Sequence, residues 1–377
     1  MSLFLPATMT IYGHFPRRPS STTEAVARRR AGDVRLLWDM ARSRLLNHPL
    51  FLSHLVTARC NARCSACLWR FAASDDKGAA AAELTTAEIA WLYRRAAEAG
   101  ICQLVLWGGE PLLREDIEEI LRAASSARLS TVLMTNGWLL PDRWPALRGL
   151  VRTLMLSLDD VGEDYDRLRG LPGLFTRLDS FALGLRDDPL RPRLLVNTVL
   201  SRLNRGALSR VAPVAKRWGA GLYFCPMEIG EMESGGFVVR HGDLALSEEE
   251  LRQAAELAGR LKAAGYPLRA TNKYLRLLRH DPGLRGFSCR LPQAVLTVLS
   301  DGSFRDCRRR RTPLGNVRDY LGSDAPLTQL FGQPRYREML REAYSCNVCN
   351  NPDVIETSWG WQLRPCMIWR SLTLTAS

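Results

Sequence analysis

The stretch Leu52-Ser53-His54-Leu55-Val56-Thr57-Ala58-Arg59-Cys60-Asn61-Ala62-Arg63-Cys64-Ser65-Ala66-Cys67 decides the reading of this chain. Its first six residues are a mostly apolar run of strand length. Three cysteines follow at once, with three residues and then two between them. A strand that delivers its chemistry on the loop beyond its C-terminal end is the arrangement of parallel α/β barrels. The same rhythm repeats downstream: runs rich in Val, Leu and Thr at 103–107, 130–135, 153–158, 194–200 and 221–225 alternate with helical patterns. Two helices mark their own ends. Thr85 with Glu88 makes a capping box before Ile89, Leu92, Tyr93 and Ala96, with Gly100 as the stop. Ser247 with Glu250 does the same before Leu251, Ala254, Leu257 and Leu261, and Gly265 closes that helix. Six such repeats predict an α/β fold, a partial parallel (β/α)6 barrel over residues 51–265.

Working outward, residues 1–50 form an N-terminal extension in which Val34, Leu37, Trp38, Ala41 and Leu45 recur at helical spacing among Arg35, Arg42 and Arg44. This amphipathic pattern reads as a helix packed on the outside of the barrel, with a membrane-surface anchor as the competing reading. Beyond Gly265 the βα rhythm stops. Residues 294–299, the turn dipeptide Asp301-Gly302 and the run after it predict a β-hairpin, the start of a small second unit over 266–377 rather than a seventh repeat.

Three thiolates from one short loop suit a cubane iron–sulfur cluster whose fourth iron has no protein ligand. A zinc site needs four ligands, and neither a further Cys nor a well-placed His lies nearby; His54 sits inside the strand and reads as structural. A second set, Cys289, Cys307, Cys346 and Cys349, ends in a Cys-x-x-Cys pair and has its first two members on the flanks of the hairpin. Its four thiolates suit a closed iron–sulfur cluster or a structural zinc. Cys102 reads as core and Cys366 as a buried thiol, while Cys225 ends the sixth strand at the catalytic face, where it reads as a small buried hydrophobe with reach to the substrate as the competing reading.

These motifs together resemble the radical S-adenosylmethionine (SAM) enzyme superfamily, over roughly residues 52–225. The loop from Cys60 to Cys67 is similar to that family's cluster loop, which implies a [4Fe-4S] cluster on Cys60, Cys64 and Cys67. Gly108-Gly109-Glu110-Pro111 at the end of the second strand looks like the Gly-Gly-Glu motif, which implies contacts of its backbone and Glu110 to the methionine ammonium. Thr135-Asn136-Gly137 ends the third strand as in many members, with Asn136 implied at the SAM site. Ser157 and Asp159 end the fourth, where the resemblance implies contacts to ribose hydroxyls and the methionine carboxylate. Arg169, in the loop that follows, suits a carboxylate. Many members carry an aromatic before the third cysteine, where this chain has Ala66, so adenine stacking is expected from Tyr223 or Phe224 on the sixth strand. The implied reaction is reductive cleavage of SAM to a 5′-deoxyadenosyl radical that takes hydrogen from a substrate carbon, fed by an external donor such as flavodoxin or ferredoxin.

The hairpin with the second cysteine set resembles the twitch domain, a shortened SPASM domain. This implies one auxiliary [4Fe-4S] cluster on Cys289, Cys307, Cys346 and Cys349 that oxidises or cross-links the substrate. Asn350, Asn351 and Pro352 stand where a full SPASM domain carries more cysteines, so a second auxiliary cluster is not implied.

The net charge is +13, yet only Lys77, Lys216, Lys262 and Lys273 of the 52 basic residues are lysines, a skew that reads as arginine-rich coding rather than a nucleic-acid surface. The rival reading, a non-enzymatic zinc protein binding nucleic acid through that charge, needs both cysteine sets to be structural. No apolar run approaches the ~20 residues of a membrane span, and residues 1–20 lack a signal-peptide pattern, which predicts a cytoplasmic enzyme with reduced cysteines. About 50 residues before the first strand are short for a leader-binding domain, which points to a small molecule, a lipid or a peptide brought by a separate partner. The basic helix keeps a lipid substrate and peripheral membrane contact open. Trp359, Trp361 and Trp369 are expected over the active site or the core, and Glu228, Glu231 and Glu233 in an acidic solvated loop.

Overall fold

The computed structural model describes residues 42–43, 45–46, 48–67, 83–227, 230–233, 236–239, 242–284, 286–305, 307, 313–323 and 326–362. Most of the expected helix over 34–45, Cys366, Trp369, Glu228 and the side chains of Glu231 and Glu233 lie outside them. Leu45, within that expected helix, is 82 % exposed.

From β1 (Phe51–Leu55) the chain alternates through α1 (Thr86–Glu98), β2 (Gln103–Trp107), α2 (Ile117–Ser126), β3 (Ser130–Thr135), α3 (Leu140–Leu147), β4 (Thr153–Ser157), α4 (Gly162–Arg169), α5 (Leu174–Gly184), β5 (Arg193–Leu200), α6 (Ala207–Trp218) and β6 (Gly221–Pro226). The six strands pair in chain order, every pair parallel. Each expected strand is found within two residues of its expected ends. Helix α1 begins where its capping box places it: the Thr85 side chain accepts from the Glu88 amide, and the Glu88 carboxylate accepts from the Thr85 amide. A cap of this kind contributes about 1 kcal/mol. The helix then buries Ile89, Leu92, Tyr93 and Ala96 against the sheet.

Period-two alternation sorts the strand residues onto two faces. Leu52, Leu104, Leu106, Leu133, Leu154, Leu156, Val196 and Leu222 belong to the large core between sheet and helices. Phe51, Leu55, Val105, Trp107, Val132, Met155, Leu195 and Tyr223 form a second core inside the curved sheet. His54 takes the helix side: its Nδ1 lies 2.9 Å from the Tyr93 hydroxyl, and burial with the nearby Arg114 charge pushes its pKa down to about 3. The neutral ring is the structural residue expected.

After β6 come a two-stranded antiparallel hairpin, β7 (Gly230–Glu233) and β8 (Gly236–Val239), and then α7 (Glu248–Ala263), α8 (Asn272–His280), α9 (Leu291–Ala294), β9 (Val295–Val298), β10 (Ser303–Arg305) and β11 (Pro313–Asn316). Strands β9 and β10 are the expected hairpin, turning at Gly302 with φ +86°. Its position differs from the sequence reading, which set it apart as a separate unit. β9 pairs parallel with β1 from Phe51↔Val295 to His54↔Val298, so one sheet of nine strands runs β11-β10-β9-β1-β2-β3-β4-β5-β6. The hairpin thereby covers the edge of β1, whose backbone groups would otherwise lack partners. Three helices complete the described chain: α10 (Thr328–Gly332), α11 (Pro334–Tyr344) and α12 (Pro352–Trp361).

Helix α12 packs against α8 and α9. Its Glu356 is fully buried and accepts from the amide and hydroxyl of Thr271 at 2.8 and 2.6 Å. Its Ser358 accepts from the Arg290 amide at 2.8 Å, and Trp361 packs edge-on against Phe51 at 5.6 Å. Trp361 thus covers the core beneath β1, the second of the two places expected for it. Among the described residues no helix is long and apolar enough to cross a membrane.

Candidate active site

The inward-facing residues at the C-terminal ends of β1 to β6 surround a cavity of about 300 Å³. Cys64, Ala66 and Cys67 border it from the loop after β1, Ser157 and Asp159 from β4, Leu168 and Arg169 from the end of α4, and Tyr223 and Cys225 from β6. Leu291, Val295 and Thr297 from α9 and β9 close another side, together with Asn351, Pro352 and Asp353 at the start of α12.

The cysteine loop is held by main-chain bonds at both ends. The amides of Arg63 and Ser65 donate to the carbonyls of Arg169 and Leu168, each at 2.9 Å. Gly170, in the left-handed conformation at φ +63°, ends α4 against Arg63. At the other end the Gly109 amide donates to Thr57 O and the Glu110 amide to Arg59 O, both at 2.8 Å. A Cβ on Gly108 would lie 2.4 Å from Thr57 O, and one on Gly109 2.3 Å from Arg59 O. Both glycines are therefore required by the close approach of this turn to the backbone leading into Cys60.

Glu110 is likewise turned into the protein. It is 0 % exposed, and its carboxylate accepts from the Leu112 amide, the Thr135 hydroxyl and the Asn136 amide at 3.1, 2.7 and 2.8 Å. Burial raises its pKa, against the pull of those donors and of the Arg169 charge. Asn136 continues the chain by donating from Nδ2 to Asn61 Oδ1 in the cysteine loop at 2.8 Å. Glu110 and Asn136 thus join the ends of β2 and β3 to that loop, and neither borders the cavity.

Asp159 and Arg169 do. Arg169 Nη2 pairs with Asp159 Oδ2 at 2.7 Å, while Asp159 Oδ1 accepts from the Val199 amide at 2.8 Å. Burial raises the pKa of Asp159 even with this partner. The neighbouring Asp160 faces the helices and pairs with Arg210 at 2.6 Å. Loss of solvation pushes the Cys60 thiol up to about 11, the Ala62 amide acting against it.

One inward position on the last strands was missed, and a second was read two ways. Asn197 borders the cavity, and the Cys225 thiol donates to its Oδ1 at 3.2 Å. Cys225 therefore borders the cavity, the second of the two readings given for it, rather than sitting as a buried hydrophobe. Tyr223 borders the cavity, whereas Phe224 packs outside against Tyr274 at 6.1 Å between ring centres. Cys102 is only half-buried, its thiol 3.7 Å from Leu50 O. Of the second cysteine set, Cys289 and Cys349 are buried, Cys346 and Cys307 half-buried, and the Cys289 amide donates to Cys346 O at 3.2 Å. Among the described residues no three His, Cys, Asp or Glu side chains stand close enough to share one metal ion, and no disulfide forms.

Residues 55–180, which span the cysteine loop, the glycine turn and the Asp159–Arg169 pair, match the model of the Radical SAM superfamily. The chain carries a radical SAM domain. The AdoMet-dependent heme synthase of Methanosarcina barkeri is 36% identical over 184 residues, 48% of this chain and 50% of that protein. The PqqA peptide cyclase of Rhizobium meliloti is 28% identical over 261 residues, 66% of this chain and 62% of that protein. The chain thus spans one half to three fifths of these relatives, both of them enzymes by name. Among solved structures, Streptococcus suis SuiB bound to the precursor peptide SuiA shares the fold, with TM-score 0.59 and 16% identity over 90% of this chain and 78% of that one. The radical SAM domain stops short of α9, β9 and the second cysteine set.

Proposed function

We propose that the chain is a radical SAM enzyme that removes hydrogen from a substrate carbon and passes the substrate's electron to an auxiliary [4Fe-4S] cluster on Cys289, Cys307, Cys346 and Cys349. The observation that carries this reading is the shared cavity: Cys64, Cys67, Ser157, Asp159 and Arg169 border it from the radical SAM domain, Tyr223 from β6 beyond it, and Asn351–Asp353, beginning two residues after Cys349, from the C-terminal segment. The residue types at the first cysteine set suit a [4Fe-4S] cluster with one iron open to SAM. Cys60, Cys64 and Cys67 lie on one loop, two of them face a chamber of ligand size, and the buried Arg169 Nε at its wall has no hydrogen-bond partner.

When bound, such a group supplies one electron to SAM and hence a hydrogen-abstracting radical. The chain's own residues do the rest. Asp159 and Ser157 offer acceptors to hydroxyl or amino groups, Tyr223 offers a ring face, and the apolar residues Val105, Val132 and Met155 exclude water from the chamber. Glu110 and Asn136 set the loop's position. One relative is by name a heme synthase and the other a peptide cyclase, and a chamber of this volume would accept a group of side-chain size. Cys289, Cys307, Cys346 and Cys349 would fully ligate a cubane, and such a closed group would accept an electron without binding SAM.

Anaerobic reconstitution tests the reading. About eight irons per chain are expected, four for each of two cubanes. The triple variant of Cys60, Cys64 and Cys67 to Ala should keep about half and produce no 5′-deoxyadenosine, while replacing Cys346 and Cys349 should leave SAM cleavage intact and stop turnover. Bound zinc with only one cluster's iron would refute the auxiliary redox role.

A further inference from the structure

Arg169 is placed to do more than meet a ligand. Its guanidinium Nη2 holds Asp159 at 2.7 Å, while its Nη1 lies 3.7 Å from Cys64 Sγ, within hydrogen-bond range for sulfur. The side chain is 13 % exposed, and its Cζ lies 5.7 Å from the Tyr165 ring centre. Its own carbonyl accepts from the Arg63 amide, one residue before Cys64. Main chain and side chain of Arg169 thus grip the same loop, and Asp159, fixed by the Val199 amide, aims the guanidinium at the sulfur.

We infer that Arg169 is a positioning and tuning residue that donates to the Cys64 thiolate and sets the reduction potential of the cluster on Cys60, Cys64 and Cys67, with Asp159 moderating its charge. The inference rests on the assignment of those three cysteines as cluster ligands. Hydrogen bonds to cluster sulfurs and nearby net charge are the protein's main means of shifting such potentials. Reduction adds one negative charge to the cluster. A cation in contact with a ligating sulfur favours the reduced form, and a carboxylate behind that cation opposes it.

Two single changes should therefore act in opposite directions. Arg169→Gln removes the cation and leaves Asp159, so the cluster becomes harder to reduce. Asp159→Asn leaves the cation unopposed, so it becomes easier to reduce. At a fixed ambient potential the reduced-to-oxidised ratio should fall about tenfold in Arg169→Gln, a shift of about 59 mV for one electron. It should rise in Asp159→Asn, and Arg169→Lys, which keeps the charge and loses the fork, should lie between Gln and the parent.

The measurement is an anaerobic redox titration of the full chain without SAM, following the paramagnetic signal that the triple Cys60/Cys64/Cys67 variant lacks. A residue that only supports the fold would move both variants the same way through a loosened, wetter cluster. Shifts of one sign in Arg169→Gln and Asp159→Asn, or ratios within twofold of the parent, overturn the inference. If Arg169→Gln fails to take up iron, Asp159→Asn alone decides, since a fall or no shift there overturns it equally. A signal that persists in the triple cysteine variant would refute the ligand assignment instead.

Discussion

Replacing Gly109 by Ala tests how the cluster loop is held. The added methyl would sit 2.3 Å from Arg59 O and 2.7 Å from both Ala58 O and Arg59 C, all backbone atoms that cannot rotate aside. Reaching ordinary contact at 3.4 Å requires the loop to retreat by about 1 Å. Forcing a methyl into a packed site costs about 1–3 kcal/mol. The retreat also stretches two bonds now at 2.8 Å, Gly109 N to Thr57 O and Glu110 N to Arg59 O, each worth about 1 kcal/mol. The expected loss is about 2–4 kcal/mol, read from the urea midpoint of the metal-free chain. Because the displaced segment leads directly into Cys60, reconstituted iron should fall by about half, the share of one of two cubanes. Gly184→Ala is the control: its site has nothing within 4 Å and its helix tolerates a methyl, so it should be neutral or stabilising by about 0.5–1 kcal/mol. A Gly109→Ala protein with the parent's midpoint and full iron would refute the close-approach argument.

His54, whose folded pKa of about 3 lies below the unfolded 6.5, binds its proton only on unfolding as pH falls, so stability present at pH 7 is lost from pH 6.5 downward. By pH 5 this amounts to about 2 kcal/mol. His54→Gln should show a correspondingly shallower decline in denaturation curves between pH 7 and 5, and parallel curves would count against it. Glu356→Ala strips a charged acceptor from the Thr271 amide and hydroxyl and leaves the amide unmet, an expected loss of about 3–5 kcal/mol in the same denaturation assay. Glu356→Gln, which keeps an acceptor oxygen, should lose less than half as much.

The strands were legible because each is an apolar run between turn signals, and α1 and α7 because both capping boxes form as written. The edge taken by the hairpin was not legible. Val295–Val298 is an apolar run that satisfies any sheet edge, and only the folded register puts it beside β1. The glycines show a different limit, since a sequence records that something comes close without recording what comes close. Here it is the chain's own Thr57–Arg59 backbone. The cavity-side placing of Cys225 was legible: with Tyr223 inward, the residue two positions on along β6 must share its face. Asn197 could have been found in the same way, as a polar residue between the inward Leu195 and the cavity-lining Val199 on β5. The pairing of Arg169 with Asp159 joins two residues named separately, and only the folded turn from β4 into α4 brings them to 2.7 Å.

One segment ties the second cysteine set to both the cavity and the fold. The Cys289 amide bonds to Cys346 O, which anchors the Cys-x-x-Cys turn beside α9, and Asn351, Pro352 and Asp353 then border the cavity within four residues of Cys349. The same helix goes on to bury Glu356 against Thr271 and Trp361 against Phe51. The interactions that hold α12 in place therefore also fix where the Cys-x-x-Cys turn stands relative to the chamber. A change that loosens α12, such as Glu356→Ala, loosens that separation as well. On the proposed function, the distance an electron would travel from the chamber to the second set then depends on how α12 packs against β1 and α8.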